Sequence, residues 1–208
     1  MTTNESFPKF DLPVDFIADD SITGDILNYY GNFPCKIKAG VFMLCTEGMV
    51  RATINLLEIV IRKNDFIVVL PNSFIQIHEV SSDTRISFAG FSSDFMLSGN
   101  YVEILLDFMP MILNSPVISL QEDVAGLYRN VYLLLIRAYT LPHSLENKEI
   151  IRSVLAIFLQ GTKELYKRYG KKLDEPLRRE QELYRQFIQL LICLLYTSPS
   201  PRDKRQSR

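Results

Sequence analysis

The chain has 208 residues, of which 47% are hydrophobic and 23% are charged, a balance typical of one globular domain or of one domain with a subdomain. Its formal net charge of −1 gives the whole protein no electrostatic attraction for nucleic acid, which is bound by clustered Lys and Arg. Residues 1–10 lack the basic cluster and apolar run of a signal peptide, and no later stretch reaches the roughly 18 apolar residues of a membrane span. We therefore expect a cytoplasmic protein with no membrane partner.

The three cysteines, Cys35, Cys45 and Cys193, suggest neither a disulfide framework nor a zinc site. Their number is odd, and no two of them have the C-x-x-C spacing of zinc and redox motifs. We expect buried thiols.

Residues 33–91 read as short β-rich runs separated by turn residues, which is the pattern of a β-sandwich or barrel. One run covers residues 50–61, in which polar and apolar side chains partly alternate. Residues 62–65 make the turn that follows, and residues 65–71 supply a fully apolar strand that stops at its proline. The alternation of side chains resumes in residues 73–80.

After residue 94 the hydrophobic period changes from two to about 3.6, so we expect helices in the rest of the chain. Ser119 and Glu122 have the spacing of a capping box, which predicts a helix that runs to about Thr140. A second helix is expected over residues 145–169, and Gly170 suits its C-terminal stop.

The helix predicted over residues 145–169 has an apolar surface wider than one supporting layer requires. Two explanations remain open at this stage. Either the β-barrel and the preceding helix bury all of this surface, or part of it forms a homodimer interface. The side chains predicted to take part in such dimerisation are Ile151, Val154, Leu155, Phe158 and Leu165.

Residues 171–176 read as a linker, and another amphipathic helix is expected from Leu177. Beyond it, residues 196–208 have few apolar side chains and two prolines, so we expect them to be disordered.

This order of elements resembles the AraC/XylS-type transcription regulators of bacteria, which have a cupin-like sensory domain. Residues 40–77, GVFMLCTEGMVRATINLLEIVIRKNDFIVVLPNSFIQI, look like the sensory sheet of that family. FAGFSSDFM at 88–96 and SPVISLQEDVAGLY at 115–128 look like the passage from its sheet to its helices. LRREQELYRQFIQLL at 177–191 looks like the opening helix of its DNA-binding domain. The resemblance covers about residues 10–191 and is most specific at its end.

The resemblance implies an α+β fold, with a cupin-like antiparallel β-sandwich or barrel, a helical dimerisation segment and the start of a helix-turn-helix domain. The implied parts are an effector-binding domain at 1–97, a dimerisation segment at 98–170, a linker at 171–176, a truncated DNA-binding domain at 177–191 and an artefactual or disordered tail at 192–208. CLLYTSPSPRD in that tail looks like translated sequencing adapter. The expected partners are a second copy of the chain, an unknown small-molecule effector and, for the full-length protein, promoter DNA.

The expected site is one for an effector, with no metal, cofactor or catalytic residue. A cupin metal site needs two or three His and a carboxylate, and this chain has only His78 and His143. Alternation lets His78 face either the sandwich interior or solvent. Together with Arg51 and Arg62, whose guanidinium groups suit an anionic effector, His78 is a candidate ligand-binding residue, and solvated surface positions are the alternative for all three.

Three arginines of the last predicted helix, Arg178, Arg179 and Arg185, are expected to contact DNA phosphates in the full-length protein only. A solvated helix face is the alternative. The sequence contains no catalytic motif such as G-x-S-x-G, a P-loop or H-E-x-x-H. We therefore expect a sensing protein and not an enzyme. The rival hypotheses are a small metal-free cupin isomerase or epimerase, and a truncated form that pairs with an intact regulator and inhibits it.

Overall fold

The computed structural model describes residues 9–10, 12, 14–29, 31, 33–97, 101–140 and 148–170, together with 179, 182–183, 186–187 and 190. Within them, the strands are β1 (Lys9–Phe10), β2 (Phe16–Thr23), β3 (Cys35–Ile37), β4 (Gly40–Glu47), β5 (Met49–Ile54), β6 (Leu57–Arg62), β7 (Asp65–Val69), β8 (Ser73–Val80), β9 (Arg85–Phe91) and β10 (Val117–Ser119). The helices are α1 (Gly24–Tyr29), α2 (Ser93–Leu97), α3 (Tyr101–Asn114), α4 (Glu122–Thr140) and α5 (Lys148–Tyr169). Among these residues, no helix combines the length and hydropathy needed to span a lipid bilayer.

The strands form two five-stranded sheets. Sheet A has the order β1-β3-β8-β5-β6, and sheet B has the order β10-β7-β4-β9-β2. Neighbouring strands are antiparallel except for β1, which runs parallel to β3. The predicted α+β class, a β-sandwich followed by helices, is confirmed.

Sheet B lies between sheet A and the helices α3, α4 and α5, and it is covered on both faces. Strand β7 is buried at all five positions. Its Phe66 and Val68 belong to the hydrophobic cluster shared with α3, α4 and α5. Its Ile67 and Val69 belong to the cluster between the two sheets. Because successive side chains of a strand point to opposite faces, a strand with two buried faces is expected to be almost entirely apolar, and in β7 all residues after Asp65 are apolar.

Phe158 of α5 is the centre of the contact between sheet B and the helices. Its ring makes an edge-on contact with Phe42 of β4 at 4.9 Å between centroids, and it lies 6.0 Å from the Phe66 ring. The rings of Tyr128 and Tyr132, both on α4, lie 5.8 Å and 5.7 Å away. One side chain thus joins sheet B to two helices, so the helices and the sandwich share one core.

The side chains of α5 that were predicted to form a dimer interface lie mostly in this core. Leu155, Phe158 and Leu165 are 0%, 2% and 7% exposed, and Val154 is half-buried against the same cluster. The side chain of Ile151 lies outside the described residues. The single chain therefore already buries most of this apolar surface, and a role in dimerisation stays a prediction.

Residues 50–61, which read as one β-rich run in the sequence, form the hairpin of β5 and β6. Asn55 and Leu56 have φ values of 48° and 70°, the left-handed conformation that a two-residue turn between antiparallel strands requires. The Asn55 side chain holds this turn against β8. Its Nδ2 donates to Ser73 Oγ at 2.9 Å, and its Oδ1 accepts from the Phe74 N–H at 2.9 Å.

The expectation that only helices follow residue 94 was wrong at β10, which pairs with β7 in sheet B. The predicted capping box is also absent. Ser119 Oγ donates to Asp65 Oδ1 at 2.6 Å, and α4 begins only at Glu122. Helix α4 is described as far as Thr140, and the residues that follow, 141–147, lie outside the described residues.

The structure tests the predicted C-terminal end of α5 but describes few of the residues that follow it. The predicted stop at Gly170 is confirmed, and the Gly170 N–H donates to the Tyr166 carbonyl at 2.9 Å. The linker at 171–176, the tail at 192–208 and most of the helix at 177–191 lie outside the described residues.

The central position of Phe158 predicts a large effect on stability. Phe158→Ala should lower the free energy of unfolding by about 3–5 kcal/mol, because it removes a buried ring and leaves a cavity between sheet B and the helices. Ile157→Ala is the matched control, since Ile157 is 69% exposed and its loss should change stability by only about 0.5 kcal/mol or less. Urea unfolding followed by circular dichroism measures both, and equal effects would contradict the packing described.

Candidate functional site

The three predicted ligand-binding residues lie on the solvent-facing side of sheet A. Arg51 of β5 is exposed and pairs with Glu79 of β8 at 3.0 Å. His78 Nε2 is hydrogen-bonded to Thr53 Oγ1 at 2.7 Å. Arg62, at the end of β6, is exposed as well. The structure therefore brings the three residues to one face of one sheet, outside the space between the sheets. A ligand held by these side chains would rest on an open surface.

The space between the sheets is occupied by aliphatic side chains of both sheets. They include Val50, Ala52 and Ile54 of β5, which face the opposite way from Arg51. Cys45 of β4 lies in the same cluster with its side chain fully buried, and burial raises the pKa of its thiol to about 11. The expectation of a buried thiol is confirmed there, whereas Cys35 is half-buried and Cys193 lies outside the described residues.

The described part of the chain contains no group of three or more His, Cys, Asp or Glu side chains arranged to hold a metal ion.

A cleft of about 310 Å³ lies beside α2, where β2 and β4 of sheet B begin and β9 ends. This volume is at the lower end of the range of small-molecule sites, roughly 300–1,000 Å³. The cleft has an apolar wall and a polar wall that carries one basic and two acidic side chains. Its lining residues are Leu12, Val14, Asp15, Lys38, Ser92, Ser93 and Asp94.

Hydrogen bonds between the lining segments fix the shape of this cleft. The Ser92 N–H donates to the Asp15 carbonyl at 2.9 Å, and Ser93 Oγ donates to the Lys38 carbonyl at 2.5 Å. Ser92 Oγ accepts from the Phe95 N–H at 3.1 Å, so Ser92 caps α2. In the sequence, residues 92–94 were noted only within the segment 88–96, which resembles a passage from sheet to helices. The cleft was missed because its walls come from three segments that meet only through strand pairing.

The turn between β6 and β7 is tied to the first turn of α4, which connects the sandwich to the helices. Asn64 Nδ2 donates to Glu122 Oε2 at 2.6 Å, and the Asn64 carbonyl accepts from the Leu120 N–H at 3.0 Å. Arg129 Nη2 donates to Glu122 Oε1, also at 2.6 Å. The hydrogen bonds from Arg129 and Asn64 lower the pKa of Glu122, so this carboxylate stays ionised to lower pH than usual.

Asp65 reinforces the same connection from inside the protein. Its side chain is 5% exposed and accepts two hydrogen bonds, from the Arg62 N–H at 2.7 Å and from Ser119 Oγ at 2.6 Å. A buried carboxylate with two such donors aligns the turn with β10, which leads directly into α4.

One of the three arginines predicted to contact DNA is described by the structure. Arg179 is exposed and helical, whereas Arg178 and Arg185 lie outside the described residues.

No protein-family model matches the chain, and no curated protein sequence matches it. Solved structures that resemble it include ToxT from Vibrio cholerae O395 bound to (E)-4-(8-methylnaphthalen-1-yl)but-3-enoic acid, which is 13% identical with a TM-score of 0.39. That match covers 96% of this chain and 72% of ToxT. The AraC-like transcriptional activator CuxR is 10% identical with a TM-score of 0.45, over 80% of this chain and 55% of CuxR. EutQ from Clostridium difficile is 14% identical with a TM-score of 0.28, over 38% of this chain and 69% of EutQ.

CuxR is described as AraC-like, which is the family that the sequence resembles. Identities of 10–14% with TM-scores below 0.5 do not assign this chain to a family.

The buried position of Asp65 predicts a loss of stability on its removal. Asp65→Ala should cost about 1–3 kcal/mol, because the Arg62 N–H and the Ser119 hydroxyl both lose their acceptor. Asp20→Ala, at an exposed position of β2, should be nearly neutral. Thermal unfolding of the two variants beside the parent chain measures the difference. A neutral effect of Asp65→Ala would show that the β6–β7 turn does not depend on this carboxylate.

Proposed function

We propose that this chain is the effector-sensing and dimerisation part of an AraC-type transcription regulator of a bacterial cytoplasm. In the intact regulator, a helix-turn-helix domain that begins at 177–191 would bind promoter DNA, with Arg178, Arg179 and Arg185 near the phosphates. The 208 residues alone would not bind DNA specifically, since neither their net charge nor their motifs favour it.

The observation that carries this proposal is the position of the cleft. Its walls are the ends of β2 and β9 and the start of α2, so an effector would contact sheet B where the chain passes to its helices. One face of sheet B packs on sheet A, and its other face packs on α3, α4 and α5. A ligand that changed the position of these strand ends would therefore act directly on the layer that supports the helices.

The lining of the cleft favours a small molecule that carries charge. Lys38 offers a cation, Asp15 and Asp94 offer carboxylates, and Leu12 and Val14 offer apolar contact. A compound with both an acidic and a basic or hydroxyl group matches this combination. Arg51, Arg62 and His78 remain predicted contacts for an anionic effector, which would then bind the outer face of sheet A.

Effector binding would alter transcription only if it favoured one arrangement of the helices over another. The contact of Asn64 with Glu122 and the buried Asp65 give the sandwich a direct connection to α4. The proposed consequence is a shift in how two copies of the chain, and the DNA-binding domains attached to them, are placed.

The proposal is tested by thermal unfolding of the purified chain with a panel of amino acids, sugars and small carboxylic acids. A ligand at about 100 times its Kd should stabilise the chain by about 2.7 kcal/mol. Lys38→Met, in the cleft, should abolish the stabilisation, and Arg51→Met, on the outer face, is the matched control that should retain it.

The outcomes separate the candidate functions. If Arg51→Met lost the stabilisation and Lys38→Met kept it, the effector site would lie on the outer face of sheet A and not in the cleft. Conversion of a stabilising compound into a product by the chain would favour the metal-free isomerase or epimerase over the sensor. Stabilisation by no compound would count against a sensing role.

A further inference from the structure

Strand β6 is the last strand of sheet A in the part of the chain that the structure describes. Within the described part of the chain, β6 pairs with β5 and with no strand on its other side. An open edge presents unpaired backbone N–H and C=O groups, which can pair with another strand.

The two-residue turn before β6 determines which backbone groups face this edge. Ile54 and Leu57 flank the turn and form a hydrogen-bonded pair. Because such pairs alternate along an antiparallel ladder, the N–H and C=O groups of every second residue of β6 point away from β5. These residues are Glu58, Val60 and Arg62. The Arg62 N–H already donates to Asp65 Oδ2. The backbone groups that remain directed at the edge are the N–H and C=O groups of Glu58 and Val60 and the C=O group of Arg62.

We infer that β6 pairs with β6 of a second copy of this chain, antiparallel and centred on Val60, so that the two copies of sheet A form one continuous sheet. This inference rests on the homodimer in the proposed function and gives it a surface. Effector sensing by the single chain does not depend on it.

The side chains of β6 are complementary to themselves in this register. A two-fold axis at Val60 places Glu58 opposite Arg62 of the second copy, and the reverse pair follows by symmetry. Both side chains are exposed, and neither forms an ion pair with another described residue. Opposite charges in directly facing positions stabilise an antiparallel pair.

Apolar contact adds to this charge pairing. Val60 is 40% exposed and would face its own copy across the axis. On the inner side of the sheet, Ile59 would lie opposite Ile61 of the second copy, which extends the aliphatic cluster between the sheets from one chain to the next. The backbone would add four hydrogen bonds, two between the Val60 residues and two from the Glu58 N–H groups to Arg62 carbonyls.

Charge reversal tests the pairing. In sedimentation velocity over about 5–500 µM, a range suited to a small interface, the parent chain should dimerise. Glu58→Arg and Arg62→Glu should each weaken the dimer about tenfold or more, because each places like charges opposite one another twice. The double variant Glu58→Arg/Arg62→Glu should restore it. Arg85→Glu, which reverses a charge on β9 of sheet B, is the matched control and should leave it unchanged.

Cross-linking tests the register independently. Paired Val60 residues would have Cα atoms about 5.5 Å apart, within the range that a disulfide bridges. Under mild oxidation Val60→Cys should give a covalent dimer. Glu58→Cys should not, because position 58 of one copy lies four residues along the paired strands from position 58 of the other.

Several results would overturn the inference. One is a parent chain that stays monomeric at every concentration. Another is a dimer that tolerates both single charge reversals but is lost in Ile157→Glu, since Ile157 is on the exposed side of α5 and reports a helical interface. A dimer that the double variant does not restore would also contradict the Val60-centred register. The thermal-shift response to effectors is measured separately, so its failure is distinguishable from the failure of this pairing.

Discussion

Burial of sheet B on both faces is the constraint on which the rest of this fold depends. A two-layer sandwich would leave one side of β4 and β7 in water, but Phe42 and Phe66 on that side are 1% and 0% exposed. Phe158 of α5 covers both rings, and Tyr128 of α4 also contacts the Phe66 ring. Removing this amount of apolar surface from water is a large favourable contribution to folding. The helices are therefore required by the sheet and are not a separate appendage.

This shared core gives physical meaning to the proposed sensing role. The cleft lies at one end of sheet B, and the Asn64–Glu122 and Asp65–Ser119 contacts lie where the sheet is joined to α4. A closely packed interior transmits strain but does not deform continuously, so a sensing response needs two discrete arrangements of similar energy. The exposed Asn64–Glu122 contact offers such an alternative, because its groups can exchange their hydrogen bond for hydrogen bonds to water, whereas the buried Asp65–Ser119 contact cannot do so at low cost.

The sequence allowed the fold class to be predicted because its two periodicities are strong. Alternation in β5, the continuous apolar run of β7 and the helical period after residue 94 each reflect which side chains are buried. Strand β2 was missed because residues 19–21 are polar. There Asp19 Oδ1 accepts hydrogen bonds from the Ser21 N–H and hydroxyl beside a β-bulge. The β5–β6 turn was missed because Leu56, and not Gly, adopts a left-handed conformation.

The site was less predictable than the fold, for reasons that apply to particular residues. Arg51 and His78 were selected by residue type, but alternation alone does not say which side of a strand faces the partner sheet. Lys38 and Asp15 enter one cleft only because β2, β4 and β9 are neighbours, and that order depends on long-range pairing. For α5, the same apolar side chains would serve packing within one chain or between two chains, so composition could not separate the two.

The most direct test of this account is native-state hydrogen exchange across the chain, with increasing urea. If sheet B and the helices share one core, the slowest amides of β4, β7, α4 and α5 should exchange with the same free energy of opening and the same urea dependence, because they open only when the whole chain unfolds. If α4 and α5 lost protection at lower urea than β4 and β7, the helices would be a separate unit and the account would be contradicted.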